Sequence, residues 1–182
     1  MALLYPLDQF CDGPAPPRAQ PLAPDDLPEP YRRLLAHERD MTPTLEAYHG
    51  EPIRLRLLDR RMLGDSLARR VLLVLTRSGR CVEYGAIVIH RPRFPAEAIP
   101  AIDACELPLG TILAHHRVAH ASRPEAFFRL ESEPSACAAL GLPRPVPLFG
   151  RKNRILDAAG EPLAEVVEIL PPLPQSGRDR GL

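Results

Sequence analysis

The sequence predicts an α+β domain: a single antiparallel β-sheet with short helices covering one face and a buried ligand pocket between the two layers. From Ile53 to Leu57 apolar residues alternate with arginines, the pattern of a half-buried strand. Two apolar runs, 67–76 and 81–90, flank Arg77-Ser78-Gly79-Arg80, whose composition is typical of a turn between antiparallel strands. Strands joined by tight turns, with short helices at the ends, favour one antiparallel sheet over alternating βαβ units.

The proline content of the segment before residue 31 indicates an extended arm. Residues 13–30 contain seven prolines, which remove backbone donors and hold φ near one value, so a regular helix or a central strand is excluded there. We therefore expect an extended arm over 1–30 on the domain surface, a folded domain over 31–172 and a flexible tail over 173–182.

Two helices are expected next. The first begins near Pro30, with Leu34 and Leu35 on its apolar side. Thr42 followed by Pro43 is a good N-cap and first-turn pair, and Gly50 is a good stop, so the second helix is predicted over 43–49.

The second half of the chain alternates short helices with strands. A short helix is expected over 96–101, and residues 111–131 fit either helix or strand. A helical turn is expected over 135–140, ended by Gly141. The last element is a hairpin, 153–157 with 163–170, around Ala158-Ala159-Gly160-Glu161.

Composition points to a small-molecule partner. The 23 basic and 23 acidic residues balance, so no basic field attracts nucleic acid or a membrane surface. The cysteines are dispersed without a C-x-x-C motif, which indicates reduced structural thiols: Cys11, Cys81, Cys105 and Cys137. Without a signal-like start or an apolar stretch of roughly 20 residues, we expect a soluble cytoplasmic protein, a monomer or weak homo-oligomer.

Four short segments occur in a recognisable order. They are Asp40-Met41-Thr42, the strand Arg69-Arg70-Val71-Leu72-Leu73, Pro108-Leu109-Gly110, and a last hairpin from Gly150–Arg154 to Glu168–Pro171. In this order and spacing, over about residues 31–172, the chain resembles the chorismate lyase family. The resemblance implies an enzyme that eliminates pyruvate from chorismate to leave 4-hydroxybenzoate, for quinone or secondary-metabolite biosynthesis, and that uses no metal or organic cofactor.

The resemblance implies two catalytic residues. Arg69 would hold a substrate carboxylate through its planar guanidinium, with Arg70 as the alternative if a bulge shifts the register. From pattern alone, a solvated strand entrance is the favoured interpretation of both arginines. Glu168 would contact the ring hydroxyl as general base or hydrogen-bond acceptor, whereas Glu165 should lie on the opposite face. A solvent-facing Glu168 is the alternative.

The resemblance also implies further substrate-binding positions. Leu109 and Gly110 would bring backbone close to the substrate carboxylate, although such a tripeptide often only marks a turn. Met41 and Thr42 would line the pocket, or serve simply as core residue and helix cap. Arg154, across the last hairpin, would pair with a carboxylate or close the pocket; a surface charge is the alternative.

Other functions remain open at this point. His116 and His120 would share one face of a helix, which is a metal-ligand spacing, but no carboxylate accompanies them. The segment between Gly110 and Gly150 is longer than expected for the compact lyases, so the substrate can differ. A non-catalytic aromatic-acid-binding protein of the same fold is the alternative function, as is a lyase for another carboxylated substrate. Some transcription regulators use this fold to bind effectors, and we expect no DNA-binding domain here.

Overall fold

The computed structural model describes residues 2–10 and 18–173. Within them seven strands form one antiparallel sheet: β1 (Ala19–Leu22), β2 (Ile53–Leu63), β3 (Ser66–Leu75), β4 (Cys81–Ile89), β5 (Ala121–Glu131), β6 (Pro147–Leu156) and β7 (Pro162–Leu170). Their order across the sheet is β1-β5-β6-β7-β4-β3-β2. The predicted fold class is confirmed. Cys11 and the tail beyond residue 173 lie outside the described residues.

Five short α-helices accompany the sheet in the described ranges: α1 (Tyr31–Leu35), α2 (Met41–His49), α3 (Ile99–Ala104), α4 (Leu109–His115) and α5 (Pro134–Leu140). Single 3₁₀ turns lie at Leu7–Phe10, Pro24–Asp26, Arg91–Arg93 and Ala96–Ala98. None of the described helices is long and apolar enough to cross a membrane.

Helix α2 begins earlier than predicted. It starts at Met41 with Asp40 as the flanking residue, so Thr42 lies inside the first turn and is not the cap. The hydroxyl of Thr44 donates to the Asp40 carbonyl oxygen over 2.8 Å, which closes this turn. Gly50 ends the helix at φ 65°, the left-handed conformation that glycine adopts most easily.

The ambiguous stretch 111–131 contains both kinds of element. Helix α4 stops at His115, Arg117 adopts a left-handed φ of 52°, and β5 follows from Ala121. The reversal at Arg117 separates two patterns that overlap in sequence, which is why periodicity alone left the segment open.

Both faces of the sheet are covered. Helices α1 to α4 pack on one face, as expected. The other face packs against α5 and the first segment, through Leu4, Leu7 and Phe10. Strand β1 adds to the sheet edge beside β5, where its proline is tolerated because one side needs no ladder partner. The described parts of the segment before residue 31 thus belong to the packed domain.

Two separate apolar clusters fill the face under α1 to α4. One surrounds α3 and α4 and includes Ile102, Ile112 and Ile89. The other surrounds α1 and α2 and includes Leu35 and Leu45. A pocket lies between the two clusters, over the centre of the sheet.

Candidate ligand-binding site

The four central strands arrange the pocket floor in cross-strand rows. In the first row Arg69 of β3 lies opposite Ile87 of β4, Ile87 opposite Val166 of β7, and Val166 opposite Asn153 of β6. Residues paired across antiparallel strands point to the same face, so this row is directed into the pocket.

The second row lies two residues further along the strands. It contains Val71, Gly85, Glu168 and Arg151. At Gly85 an added Cβ would collide with the backbone carbonyl oxygen of Val167, so the close approach of β4 and β7 requires glycine there. The missing side chain leaves the floor open between Val71 and Glu168.

The pocket has a volume of about 70 Å³. Its lining residues come from the sheet, from α2 with the preceding residue, and from the start of α4: Asp40, Met41, Thr42, Leu55, Arg69, Val71, Leu73, Glu83, Gly85, Ala86, Ile87, Pro108, Leu109, Gly110, Asn153, Ile155, Val166, Val167 and Glu168. The structure therefore brings Arg69, Glu168, Met41, Thr42, Leu109 and Gly110 together around one cavity.

Arg69 is a buried cation with unused donors. Its side chain belongs to a residue only 1% exposed, and its Nη2 donates to the carbonyl oxygen of Leu107 over 3.1 Å. Nε and Nη1 are buried without a hydrogen-bond partner. Burial lowers the pKa of the guanidinium, while the neighbouring Cys105 opposes that shift. Arg70 points to the opposite face, where its guanidinium lies 5.9 Å from the Phe10 ring centre.

Glu168 forms a buried ion pair with Arg151. Arg151 is fully buried, and its Nε donates to Glu168 Oε2. Its Nη1 donates to the carbonyl oxygens of Leu35 and His37, over 3.2 and 2.8 Å, and Nη2 donates to that of Arg39 over 3.3 Å. Arg151 thus holds Glu168 in place and joins it to the segment between α1 and α2.

A second carboxyl group, Glu83, lines the same pocket. The residue is 5% exposed, and its Oε2 has no hydrogen-bond partner. Burial raises the pKa of Glu83 well above its usual value, the charge of Glu168 raises it further, and Arg151 acts in the opposite direction. The pocket therefore places a carboxyl group whose protonated form is favoured beside one that is paired with Arg151.

Asn153 adds a further unsatisfied polar group. Its Nδ2 donates to Ser122 Oγ over 2.9 Å, whereas its Oδ1 is buried without a partner. Buried polar atoms are rarely left unpaired in native proteins, and several of them around one cavity favour a polar ligand. Arg69, Glu83 and Asn153 each bring such an atom to the pocket wall, at separate points around it.

The mouth of the pocket lies between α2 and α4. Asp40 and Gly110 are partly exposed lining residues, and a side chain at Gly110 would lie 3.9 Å from Asp40 and from Thr42. His120 Nε2 lies 2.9 Å from Asp40 Oδ2, and its Nδ1 lies 2.8 Å from the carbonyl oxygen of Val118. Burial opposes charging of His120, but the two hydrogen bonds and the Asp40 charge raise its pKa overall.

Arg154 does not contact the site. It lies on the other face of the sheet, opposite Glu165, and its Nη2 pairs with Glu125 over 3.0 Å. Arg151, and not the predicted Arg154, is the hairpin arginine that pairs with a pocket carboxylate, Glu168. Glu165 also lies outside the pocket, as expected, with its Oε2 3.0 Å from His90 Nε2.

The histidine hypothesis fails on secondary structure. Helix α4 ends at His115, so His116 and His120 do not share a helical face, and His120 pairs with Asp40 instead. In the ranges 2–10 and 18–173 no three His, Cys, Asp or Glu side chains form a group able to hold a metal ion.

The comparisons with known proteins support the fold. No family profile matches the sequence, and no curated protein matches it. The ligand-binding domain of a protein described as a GntR-family transcriptional regulator, from Bordetella bronchiseptica, superposes with a TM-score of 0.52 at 13% identity, covering 71% of this chain and 92% of that one.

PhnF of Mycobacterium smegmatis gives a similar result. Its effector domain has a TM-score of 0.56 at 13% identity, with 72% of this chain and 87% of that chain covered. Against the longer PhnF structure the TM-score is 0.55, and the match spans 63% of that chain. At such identity the likeness shows the fold alone, which is the chorismate lyase-like fold. It gives no sequence support for the chorismate lyase family itself.

Sequence reasoning missed Arg151, Glu83 and Asn153. Arg151 had a usable signal, because it lies as far before the Ala158–Glu161 turn as Glu168 lies after it, and such positions pair in a regular hairpin. Glu83 and Asn153 each lie two residues from a pocket-facing neighbour on the same strand, so alternation places them on the pocket face. A polar residue near a strand end is nevertheless usually solvent-exposed.

Proposed function

We propose that this pocket binds a small carboxylic acid, with the ligand carboxylate on Arg69 and a second polar group near Glu168. The observation that carries the proposal is the buried guanidinium of Arg69, with Nε and Nη1 unpaired. A buried cation with unused donors is costly, and a ligand carboxylate that accepts from one of these donors together with the second N–H of Nη2 lowers that cost. Apolar walls, among them Val71 and Ile87, suit an aromatic or cyclic body between the polar ends.

Ligand size sets a condition on binding. An engineered apolar cavity of about 150 Å³ holds benzene, roughly twice the 70 Å³ found here. A ring-sized acid therefore requires the mouth between Asp40 and Gly110 to widen when it enters.

Non-catalytic binding is the first candidate function. The structural neighbours include a ligand-binding domain and an effector domain of regulators, and this fit favours a domain that holds its ligand unchanged. On this proposal the pocket would bind an aromatic acid such as 4-hydroxybenzoate and release it unaltered.

A chorismate pyruvate-lyase is the second candidate. It is favoured by one specific observation: Arg69 and Glu168 line the same pocket, whereas a binder needs only the arginine. Elimination of pyruvate from chorismate requires a group that holds a carboxylate and an acceptor at the ring hydroxyl, and Arg69 and Glu168 have the chemistry for these two roles. A lyase acting on a different carboxylated substrate would use the same pair.

Calorimetric titration with 4-hydroxybenzoate, together with a pyruvate-release assay on chorismate, tests the two functions. Saturable binding without pyruvate release, in fresh folded protein, supports the binder. Pyruvate release that persists after EDTA treatment supports the lyase. If neither 4-hydroxybenzoate nor chorismate binds, the proposed ligand class is wrong.

Substitutions identify the groups involved. Arg69→Lys keeps the charge but loses the bidentate geometry, and should weaken ligand binding by about 1.5–3 kcal/mol. Arg70→Lys, one residue away on the opposite face, is the matched control and should change binding little. Equal effects at both positions would contradict the assignment.

Glu168→Gln separates catalysis from binding. If the carboxylate accepts a proton during elimination, turnover should fall roughly 100-fold or more, while affinity for 4-hydroxybenzoate falls less because Arg69 still holds its carboxylate. Glu165→Gln, on the other face, is the control. Unchanged turnover in Glu168→Gln would exclude this residue as the base.

A further inference from the structure

Glu83 reaches the pocket from β4 without a cation of its own. Its nearest cross-strand partner on β3 is the apolar Leu73, and its Oε2 is buried and unpaired. It also lies far from Arg69. Ile87 is opposite Arg69, and the backbone from Ile87 back to Glu83 covers about 13 Å along the strand. Arg69 and Glu83 therefore mark opposite ends of the pocket.

The neighbouring charges determine the form of Glu83. Gly85 lies opposite Glu168, so Glu83 is the diagonal neighbour of Glu168, at about 7–8 Å between backbones. Arg151 already donates to Glu168 and to three carbonyl oxygens. Two buried carboxyl groups beside one engaged cation disfavour double ionisation, and the protonated form is favoured at the unpaired one, Glu83.

A neutral carboxyl group can donate a hydrogen bond, which a carboxylate cannot. We propose, on the basis of the function above, that Glu83 is a ligand-binding residue that selects an acid with a hydroxyl group at the end distant from Arg69. The O–H of Glu83 donates a hydrogen bond to the oxygen of the ligand hydroxyl, and Glu168 accepts a hydrogen bond from the hydroxyl O–H. One hydroxyl thus satisfies both carboxyl groups.

An aromatic amine should not replace this hydroxyl. Its N–H groups can donate to Glu168, but its lone pair is delocalised into the ring and accepts poorly from Glu83. The pocket is therefore expected to rank 4-hydroxybenzoate above 4-aminobenzoate, and 4-aminobenzoate above benzoate. In this ranking, the difference in affinity between 4-hydroxybenzoate and 4-aminobenzoate is due to Glu83, and that between 4-aminobenzoate and benzoate is due to Glu168.

Calorimetric titration of the three acids into wild-type protein, Glu83→Met and Glu83→Gln tests the assignment. Glu83→Met should weaken 4-hydroxybenzoate roughly 2- to 12-fold, the range for one net hydrogen bond, and leave the other two acids unchanged. Glu83→Gln keeps a neutral donor and should retain most of the preference. Glu165→Gln, buried on the opposite face, is the control, and circular dichroism verifies that each variant is folded.

The outcomes separate the two proposals. If Glu83→Met weakens all three acids equally, or none of them, while Arg69→Lys weakens all three, the role of Glu83 is overturned and the ligand class stands. If wild-type protein binds none of the three acids, the ligand class fails and the role of Glu83 fails with it.

Discussion

Replacing Arg69 with methionine should make the ligand-free protein more stable. The change removes a buried charge that has no anionic partner and two buried donor nitrogens, Nε and Nη1, without acceptors. Each such orphan costs about 1–3 kcal/mol, and methionine fills much of the same space. The bond to the carbonyl of Leu107 is lost, but Leu107 is 43% exposed and water can replace it. We expect a net gain of about 2 kcal/mol in the free energy of unfolding, or about 4–8 °C in Tm.

Urea and thermal denaturation followed by circular dichroism measure this gain. The matched control is Arg70→Met on the opposite face, where the guanidinium lies 5.9 Å from the Phe10 ring centre. Losing that contact should cost up to about 1 kcal/mol, and relief of the buried, unpaired Arg70 Nε offsets this cost. Arg70→Met should therefore change stability much less than Arg69→Met.

Addition of ligand should make the wild-type protein more stable than Arg69→Met. Wild-type protein should be stabilised by 4-hydroxybenzoate at high concentration, because the ligand binds only the folded state. Arg69→Met should show no such shift. Destabilisation of the ligand-free protein by Arg69→Met, beyond about 1 kcal/mol, would refute the view that this guanidinium is uncompensated.

Three further predictions concern the pocket and its mouth. Because the pKa of Glu83 is raised in the folded state, its contribution to stability should be lost as pH rises above 4.5; Glu83→Gln should remove this loss, measured by Tm against pH. Asp40→Asn should lower the pKa of His120 and remove stability that is present below pH 6.5 and lost as pH rises through the folded pKa; an NMR titration that leaves the His120 pKa unchanged would contradict the pairing. Gly85→Ala should cost about 1–3 kcal/mol, since its Cβ meets the Val167 carbonyl oxygen, and a wild-type Tm would show that β4 can shift.

The pocket-facing residues of the sheet were largely predictable. Strand alternation places Arg69 with Val71 and Leu73, and Glu168 on the face opposite to Glu165, once the strands are recognised. Alternation does not say which face is buried by helices and which by other segments. The resemblance supplied that choice, and the structure places both residues in one pocket.

The arginine of the last hairpin was chosen wrongly for a physical reason. Register in a hairpin follows from the turn and any bulge beside it, and beyond the register shift between Ile155 and Leu156 the hairpin pairs Arg154 with Glu165, not with Glu168. Arg154 therefore had to share the face of Glu165. Applying the turn symmetry to every charged residue of the hairpin would have selected Arg151.

The unpaired groups could not be predicted from the sequence. Whether Glu83 and Asn153 find partners depends on which side chains other strands bring beside them, and these strands are distant in the chain. A polar residue inside an apolar strand signals only that something must compensate it. That the compensation is missing is a property of the assembled fold.

The single hydrogen bond from Arg69 to Leu107 has a consequence for ligand entry. Arg151 fixes the segment between α1 and α2 through three carbonyl oxygens, so that wall moves only by exposing a buried ion pair. Leu107, in the loop before α4, is joined to the floor by a hydrogen bond that an incoming carboxylate can replace, whereas α4 itself stays packed through Ile112 and Leu113. An anion arriving at Arg69 competes for the same guanidinium and frees this loop at the pocket wall. The carboxylate of the ligand would then itself promote opening of the pocket, so acids should bind with a higher association rate than neutral analogues of equal size.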